Sequence, residues 1–238
     1  PFVAGPLNGG LPWPKGFDAS RRKEREWLSY VRDAYKLLPG YRSMRRHTSA
    51  MIIGSRATYE QMPSRYRDRC VYIPENAIDP KRFNQSVDRV AKLPLRLAFV
   101  GRLVPYKGAD MLLHAAAPLI REGKVIVDLI GDGPMKQELV DLAKDLKITD
   151  GVIIDGWVEH TKLQDRLLLS DVFAFPSIRE FGGAVVLEAM AIGLVPVVMD
   201  YGGPGELVSP ETGYAIPMGN RQEIITRVAK SLEELTAD

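Results

Sequence analysis

From Leu95 onward, short apolar runs alternate with stretches whose apolar positions recur every three or four residues. The runs are 95–100 (LRLAFV), 125–130 (VIVDLI), 152–154 (VII), 172–175 (VFAF) and 195–199 (VPVVM), and they read as strands. Helical periodicity fills 109–121, 134–147, 161–169, 183–192 and 220–234. Strands apolar on both faces, separated by helices, predict a parallel, Rossmann-like α/β sheet with helices on both sides. Ligands bind such sheets beyond the carboxyl ends of the strands, so the residues that follow each strand become the candidates.

The first ninety residues are patterned less regularly. Pro1–Pro6 reads as the end of a strand, and Gly5–Gly16 is rich enough in turn formers to be irregular. Within it, the Gly9-Gly10 pair suits either a tight turn or close approach to a ligand. Ser20 is the expected N-cap of a helix with an apolar face of Trp27, Val31, Ala34 and Leu38, ended by Pro39-Gly40. Met51–Ile53 and Cys70–Ile73 read as strands, with a helical piece from Ser55 to Gln61 between them. Residues 75–79 form a turn and 80–94 a linker, so the expected division is 1–90 and 91–238, the first part being the end of a second α/β domain.

Charge sharpens this division. The net charge is +2, but residues 1–90 hold 17 Lys and Arg against 9 Asp and Glu, whereas 91–238 hold 15 against 21. Arg21, Arg22, Lys23 and Arg25, followed by Arg42, Arg45 and Arg46, fit a solvated face or peripheral contact with an anionic membrane. Aromatic residues do not interleave with them as a nucleic-acid surface requires, so no nucleic-acid partner is expected. A single cysteine, Cys70, excludes an internal disulfide, and three scattered histidines offer no metal-ligand spacing. No signal peptide or membrane-spanning run is read, and the expected location is the cytoplasm or the inner face of its membrane.

Candidate chemistry gathers after the strands of the second part. The first strand is followed by Gly101–Gly108, with Arg102 and Lys107 as two cations suited to phosphate oxygens. The second is followed by Gly131-Asp132-Gly133-Pro134, a turn with Pro near the first helical position, and the third by Asp155-Gly156-Trp157-Val158. After the fourth come Glu180-Phe181-Gly182-Gly183-Ala184-Val185 and, eight residues beyond Glu180, Glu188. Glycines at a helix mouth leave N–H groups open to an anion, which the helix dipole favours. One sheet edge would thus hold two cations, an open helix mouth and two carboxylates, which suits a sugar linked to a nucleoside diphosphate. Arg102 and Lys107 would hold the pyrophosphate, Glu188 the ribose, and Glu180 with the Gly182–Ala184 amides the sugar. No Gly-x-Gly-x-x-Gly follows the first strand, and no Walker-type Gly-Lys-Ser/Thr is present.

Glu180–Ala191 (EFGGAVVLEAMA), together with Gly101–Gly108, Gly131–Pro134 and Gly156–Val158, resembles the retaining glycosyltransferases of the GT-B fold, family 4. The resemblance covers nearly all of 95–219. It implies a GT-B carboxy-terminal, donor-binding domain and transfer of a hexosyl group from a UDP- or GDP-sugar, UDP favoured, to a saccharide or lipid-linked acceptor. It assigns Arg102, Lys107 and Glu180 to catalysis. Donor binding would fall to these three with Gly131, Val158, Phe181, Gly182, Gly183, Ala184, Val185 and Glu188, the Val158 backbone contacting the base. It implies front-face displacement assisted by the leaving phosphate, with no cofactor and no metal.

Two departures accompany it. Pro74-Glu75-Asn76-Ala77-Ile78-Asp79 carries Ala77 where the family has a glycine, and the glycine-rich loop that opens the family's amino-terminal domain is not found. The chain is therefore expected to be a carboxy-terminal piece, inactive alone. The alternatives are a GT-B sugar-nucleotide epimerase, which needs no acceptor, and a non-catalytic nucleotide-sugar binding module.

Overall fold

The computed structural model describes residues 1–7, 10–24, 37–74, 76–85 and 92–237. Two parallel sheets organise them. In the smaller, β1 (Val3–Leu7), β2 (Ala50–Ile53) and β3 (Cys70–Tyr72) lie in that order, and Ala4, Met51 and Ile53 meet Met62 and Tyr66 in a small core. β1 runs through Gly5–Leu7, where the turn-rich sequence predicted irregular chain, because Leu7 pairs with Ile53.

α3 (Arg56–Gln61) packs on this sheet and α2 (Tyr41–His47) leads into β2, whereas α1 (Asp18–Lys23) lies against residues 105–107 and its Lys23 pairs with Glu138. Ser55 caps α3, its hydroxyl accepting from the Thr58 amide at 3.1 Å. Ser20 does not cap α1. The helix starts two residues earlier, behind Phe17, which is buried in the larger core and thereby sets where the helix begins. Leu38, expected on the apolar face, is exposed, while Trp27, Val31 and Ala34 lie outside the described residues, as do Gly9, Arg25 and Glu75.

The larger sheet holds β4 (Leu95–Val100), β5 (Val125–Ile130), β6 (Val152–Gly156), β7 (Val172–Phe175), β8 (Val195–Met199) and β9 (Tyr214–Ile216). Its order is β6-β5-β4-β7-β8-β9, all parallel. The intervening helices are α4 (Ala109–Arg121), α5 (Lys136–Asp145), α6 (Leu163–Leu167), α7 (Ala184–Ala191), α8 (Gly203–Leu207) and α9 (Arg221–Thr236). α4 is buried nearly all round because it is pressed between the sheet, α5 and α9. α7 and α8 pack together beside β8. Pro134 stands before α5 in the turn, and Met135 takes the N-cap position instead of the helix opening at the proline. There the Met135 amide is drawn to the Leu103 carbonyl at 3.0 Å.

Phe99, Phe173 and Phe175 fill the middle of the larger core, with Phe175 lying 5.6 Å from each of the other two rings. Burying each such ring stabilises by roughly 1.5–3 kcal/mol, which makes the β4–β7 seam the firm floor of what lies above it. Among the described residues no helix is long and apolar enough to cross a membrane.

Candidate functional site

Strand order reverses between β4 and β7. The chain leaves β4 towards β5 on one side and leaves β7 towards β8 on the other, so the loops 101–108 and 176–183 part around a crevice. The loops are tied to each other: the Ile178 amide and the Ser177 hydroxyl both donate to the Tyr106 carbonyl, at 2.9 and 3.3 Å. At this point Lys107 Nζ forms an ion pair with Glu180 Oε2. Both side chains are largely buried, and Lys107 also sits 5.0 Å above the Phe175 ring.

α7 opens beside the pair. Its N-cap is Gly183 at φ 76°, where no side chain accepts from the first turn. Among the described residues the Ala184 and Val185 amides carry no hydrogen bond, which leaves two donors in the crevice. A Cβ on Gly183 would stand 3.1 Å from the Pro204 ring, so both conformation and space favour glycine there. Phe181 and Gly182 turn their carbonyls towards α8, where Gly203 fits against them.

A cavity of about 290 Å³ adjoins the crevice at the ends of β4, β5 and β6. Arg102, Gly131, Val158 and His160 line it with Trp157 and the apolar ends of the strands. The strand ends are drawn close: Gly131 donates to the Gly156 carbonyl at 2.8 Å, and a Cβ on Gly131 would overlap the Gly101 carbonyl oxygen. A mostly apolar slot with Arg102 at its rim can take a flat heterocycle.

Glu188, on the second turn of α7, has a side chain only 14% exposed. Burial pushes its carboxyl above the usual glutamate range, and the positive charge of Arg82 partly opposes that shift. Its Oε1 lies 2.9 Å from His160 Nε2, and the other ring nitrogen of His160 meets the Arg82 guanidinium.

The first part of the chain reaches the crevice as well. Trp13 packs edge-on against Tyr106 with ring centres 6.0 Å apart, and the Arg179 guanidinium lies 5.1 Å over Trp13. Arg179 Nε donates to the Leu11 carbonyl at 3.3 Å, and Tyr201 donates to the Pro12 carbonyl at 2.8 Å. The Gly10 carbonyl accepts from Gln61 at 3.1 Å.

Residues 81–235 match the family described as glycosyl transferases group 1. The chain belongs to that family. It is 31% identical over 147 residues to an uncharacterised glycosyltransferase of Methanocaldococcus jannaschii, covering 57% of this chain and 38% of that one. It is 27% identical over 207 residues to the alpha-D-kanosaminyltransferase of Streptomyces kanamyceticus, covering 81% of this chain and 53% of that one. The structure of the pneumococcal O-GlcNAc transferase GtfA in complex with UDP and GlcNAc shares the fold at TM-score 0.64 and 22% identity, over 79% of this chain and 38% of that one. The chain thus spans about half, or less, of these relatives.

Of the residues singled out from sequence, Arg102, Gly131 and Val158 lie in the cavity wall, Lys107, Glu180 and Gly183–Val185 at the strand switch, and Glu188 against His160 of the cavity wall, whereas Phe181 and Gly182 face Gly203 and the Tyr72 and Asn76 side. Glu180, expected on the donor sugar, is ion-paired with Lys107, the cation expected on the pyrophosphate. Sequence reasoning missed Arg82, His160, Trp13, Tyr106 and Tyr201. Tyr106, His160 and Tyr201 each lie within a few residues of a strand end, which was the signal that could have found them; Arg82 and Trp13 carry none.

Proposed function

We propose that this chain is the donor-binding part of a retaining hexosyltransferase that takes a nucleoside-diphosphate sugar and serves a saccharide or lipid-linked acceptor. The observation that carries the reading is Lys107 held at the strand switch beside the uncapped mouth of α7. A diphosphate there would meet the Lys107 ammonium, the Arg102 guanidinium and the Ala184 and Val185 amides. These donors would stabilise the charge that grows on the leaving phosphate, which is where electrostatic catalysis is most effective. Because the chain supplies its own cations at that place, the reading requires no metal.

Glu180 would exchange Lys107 for a hydroxyl of the donor sugar, and Glu188 would accept from the ribose. The base would enter the slot beside the Val158 backbone, with UDP favoured over GDP. Residues 1–90 would end the acceptor-side domain and 91–238 would form the donor domain, the whole acting at the cytoplasmic side of a membrane. Exposed Arg42 and Arg46 on α2 support peripheral contact there, and liposome binding unchanged by Arg42→Glu with Arg46→Glu would remove that part.

Thermal melting tests the donor reading. UDP at a hundred times its Kd should stabilise the protein by about 2.7 kcal/mol, with UMP far weaker at the same concentration. Equal shifts with UMP and UDP would contradict a diphosphate site. Product analysis separates the transferase from an epimerase: a transferase releases UDP only with acceptor, whereas an epimerase converts the donor alone.

A further inference from the structure

His160 lies at the meeting of the cavity, the carboxylate of Glu188 and the segment that joins the two sheets. One ring nitrogen faces Arg82, whose guanidinium is a donor only, so Nδ1 must accept. The proton of the neutral imidazole is then on Nε2, which donates to Glu188 Oε1 at 2.9 Å. The ring is also held by the edge of Phe83, 5.8 Å between centres at 70°. Next along, the Asn84 amide donates to Gln164 Oε1 at 2.8 Å, so this stretch is fastened along the start of α6. Among the described residues Glu188 has no other hydrogen bond, so its Oε2 keeps its capacity to accept, and the imidazole that holds Oε1 lines the cavity.

We infer that His160 is a positioning residue for nucleotide recognition, fixing the Glu188 carboxylate through Oε1 so that it can accept the ribose hydroxyls of a nucleoside diphosphate. Arg82 takes part by setting the tautomer. Without that donor the Glu188 side chain keeps its rotamer freedom and must lose it on each binding event, as well as remaining short of a partner in a largely buried place. The inference rests on the donor-site reading above and adds to it the source of ribose selectivity.

Titration of the protein with UDP, GDP and their 2′-deoxy counterparts tests it. The wild-type protein should bind one of the ribonucleotides better than its deoxy form. His160→Phe keeps the ring and its contact with Phe83 but removes the donor; it should weaken the ribonucleotide about tenfold and erase most of the preference over the deoxy form. His160→Gln, which keeps an amide donor, should restore the preference. Glu188→Gln should behave like His160→Phe, and the double variant should add little further loss. A full preference retained in His160→Phe would overturn the inference while leaving the donor site standing. Absence of binding by the wild-type protein would overturn the donor-site reading and the inference together.

Discussion

Lys107 and Glu180, 73 residues apart, are ion-paired at the one place in the larger sheet where the strand order reverses. The pair places a cation and a carboxylate side by side at the mouth of the crevice. A diphosphate must draw Lys107 away from a carboxylate that also repels it.

Two substitutions there should act in opposite directions. Lys107→Ala should weaken UDP binding tenfold or more, since a charge-assisted contact of about 1.5–3 kcal/mol is lost. Glu180→Gln should tighten UDP a few-fold by releasing Lys107, yet impair transfer from the UDP-sugar. Calorimetry on both variants checks this, and weaker binding in Glu180→Gln would contradict a competition between Glu180 and the diphosphate for Lys107.

A second buried cation tests stability instead of binding. Arg166 Nη2 lies 2.9 Å from Asp128 Oδ2 and also pairs with Asp155, and Asp128 is almost wholly buried on β5. The approach has ion-pair distance, but the Asp128 oxygens fall short of full hydrogen-bond geometry. Burial pushes the Asp128 carboxyl up, more than Arg166 pulls it down. Arg166→Met should therefore cost about 3–5 kcal/mol by leaving a buried charge without its partner. A carboxyl whose pKa is raised by folding is penalised only when ionised, so the loss should grow as pH rises through that pKa and shrink in acid. Urea unfolding at pH 5 and pH 8 measures it, and an equal loss at both would contradict the assignment.

Gly183→Ala should cost about 1–2 kcal/mol, because it forces a side chain into the left-handed region. It should also weaken UDP by tilting the α7 mouth against Pro204. Loss of stability without loss of UDP affinity would mean that the mouth does not touch the phosphates.

Where α8 meets the smaller sheet, Glu206 accepts from the Arg56 amide at 2.8 Å and from the Tyr72 hydroxyl at 2.9 Å. Burial, then the Glu206 contact, pushes the Tyr72 phenol above its ordinary range. This stabilisation is complete below the phenol's unfolded pKa and is lost as pH rises through the folded one. Glu206→Gln should bring the phenol titration down, read by ultraviolet absorbance; an unmoved titration would contradict the contact.

What the sequence disclosed follows from how local each signal is. β4, β5, β7 and β8 are legible because strands buried on both faces are written as mostly apolar runs, interrupted only by Arg96 in β4, Asp128 in β5 and Pro196 in β8. The loops that carry Arg102, Lys107, Gly131 and Glu180 are legible because each directly follows such a run. β9 is missed, its three apolar residues Tyr214–Ile216 being enclosed between Gly213 and Pro217 and read as loop, and the start of α1 is set by Phe17 packing into a distant core. Pairings across the chain leave no trace in its order. His160 meets Glu188 and Arg82 only once β6 and β7 are in place, and Trp13 meets Tyr106 only when the smaller sheet sits against the larger.

The structure of the complex with UDP tests the central claim most directly. The account predicts β-phosphate oxygens about 2.7–2.9 Å from Lys107 Nζ, with the Ala184 and Val185 amides also donating to the diphosphate. It predicts Glu180 released from Lys107, the ribose on Glu188 and the uracil in the slot beside Val158. UDP bound elsewhere, or bound with Lys107 still on Glu180, would contradict it.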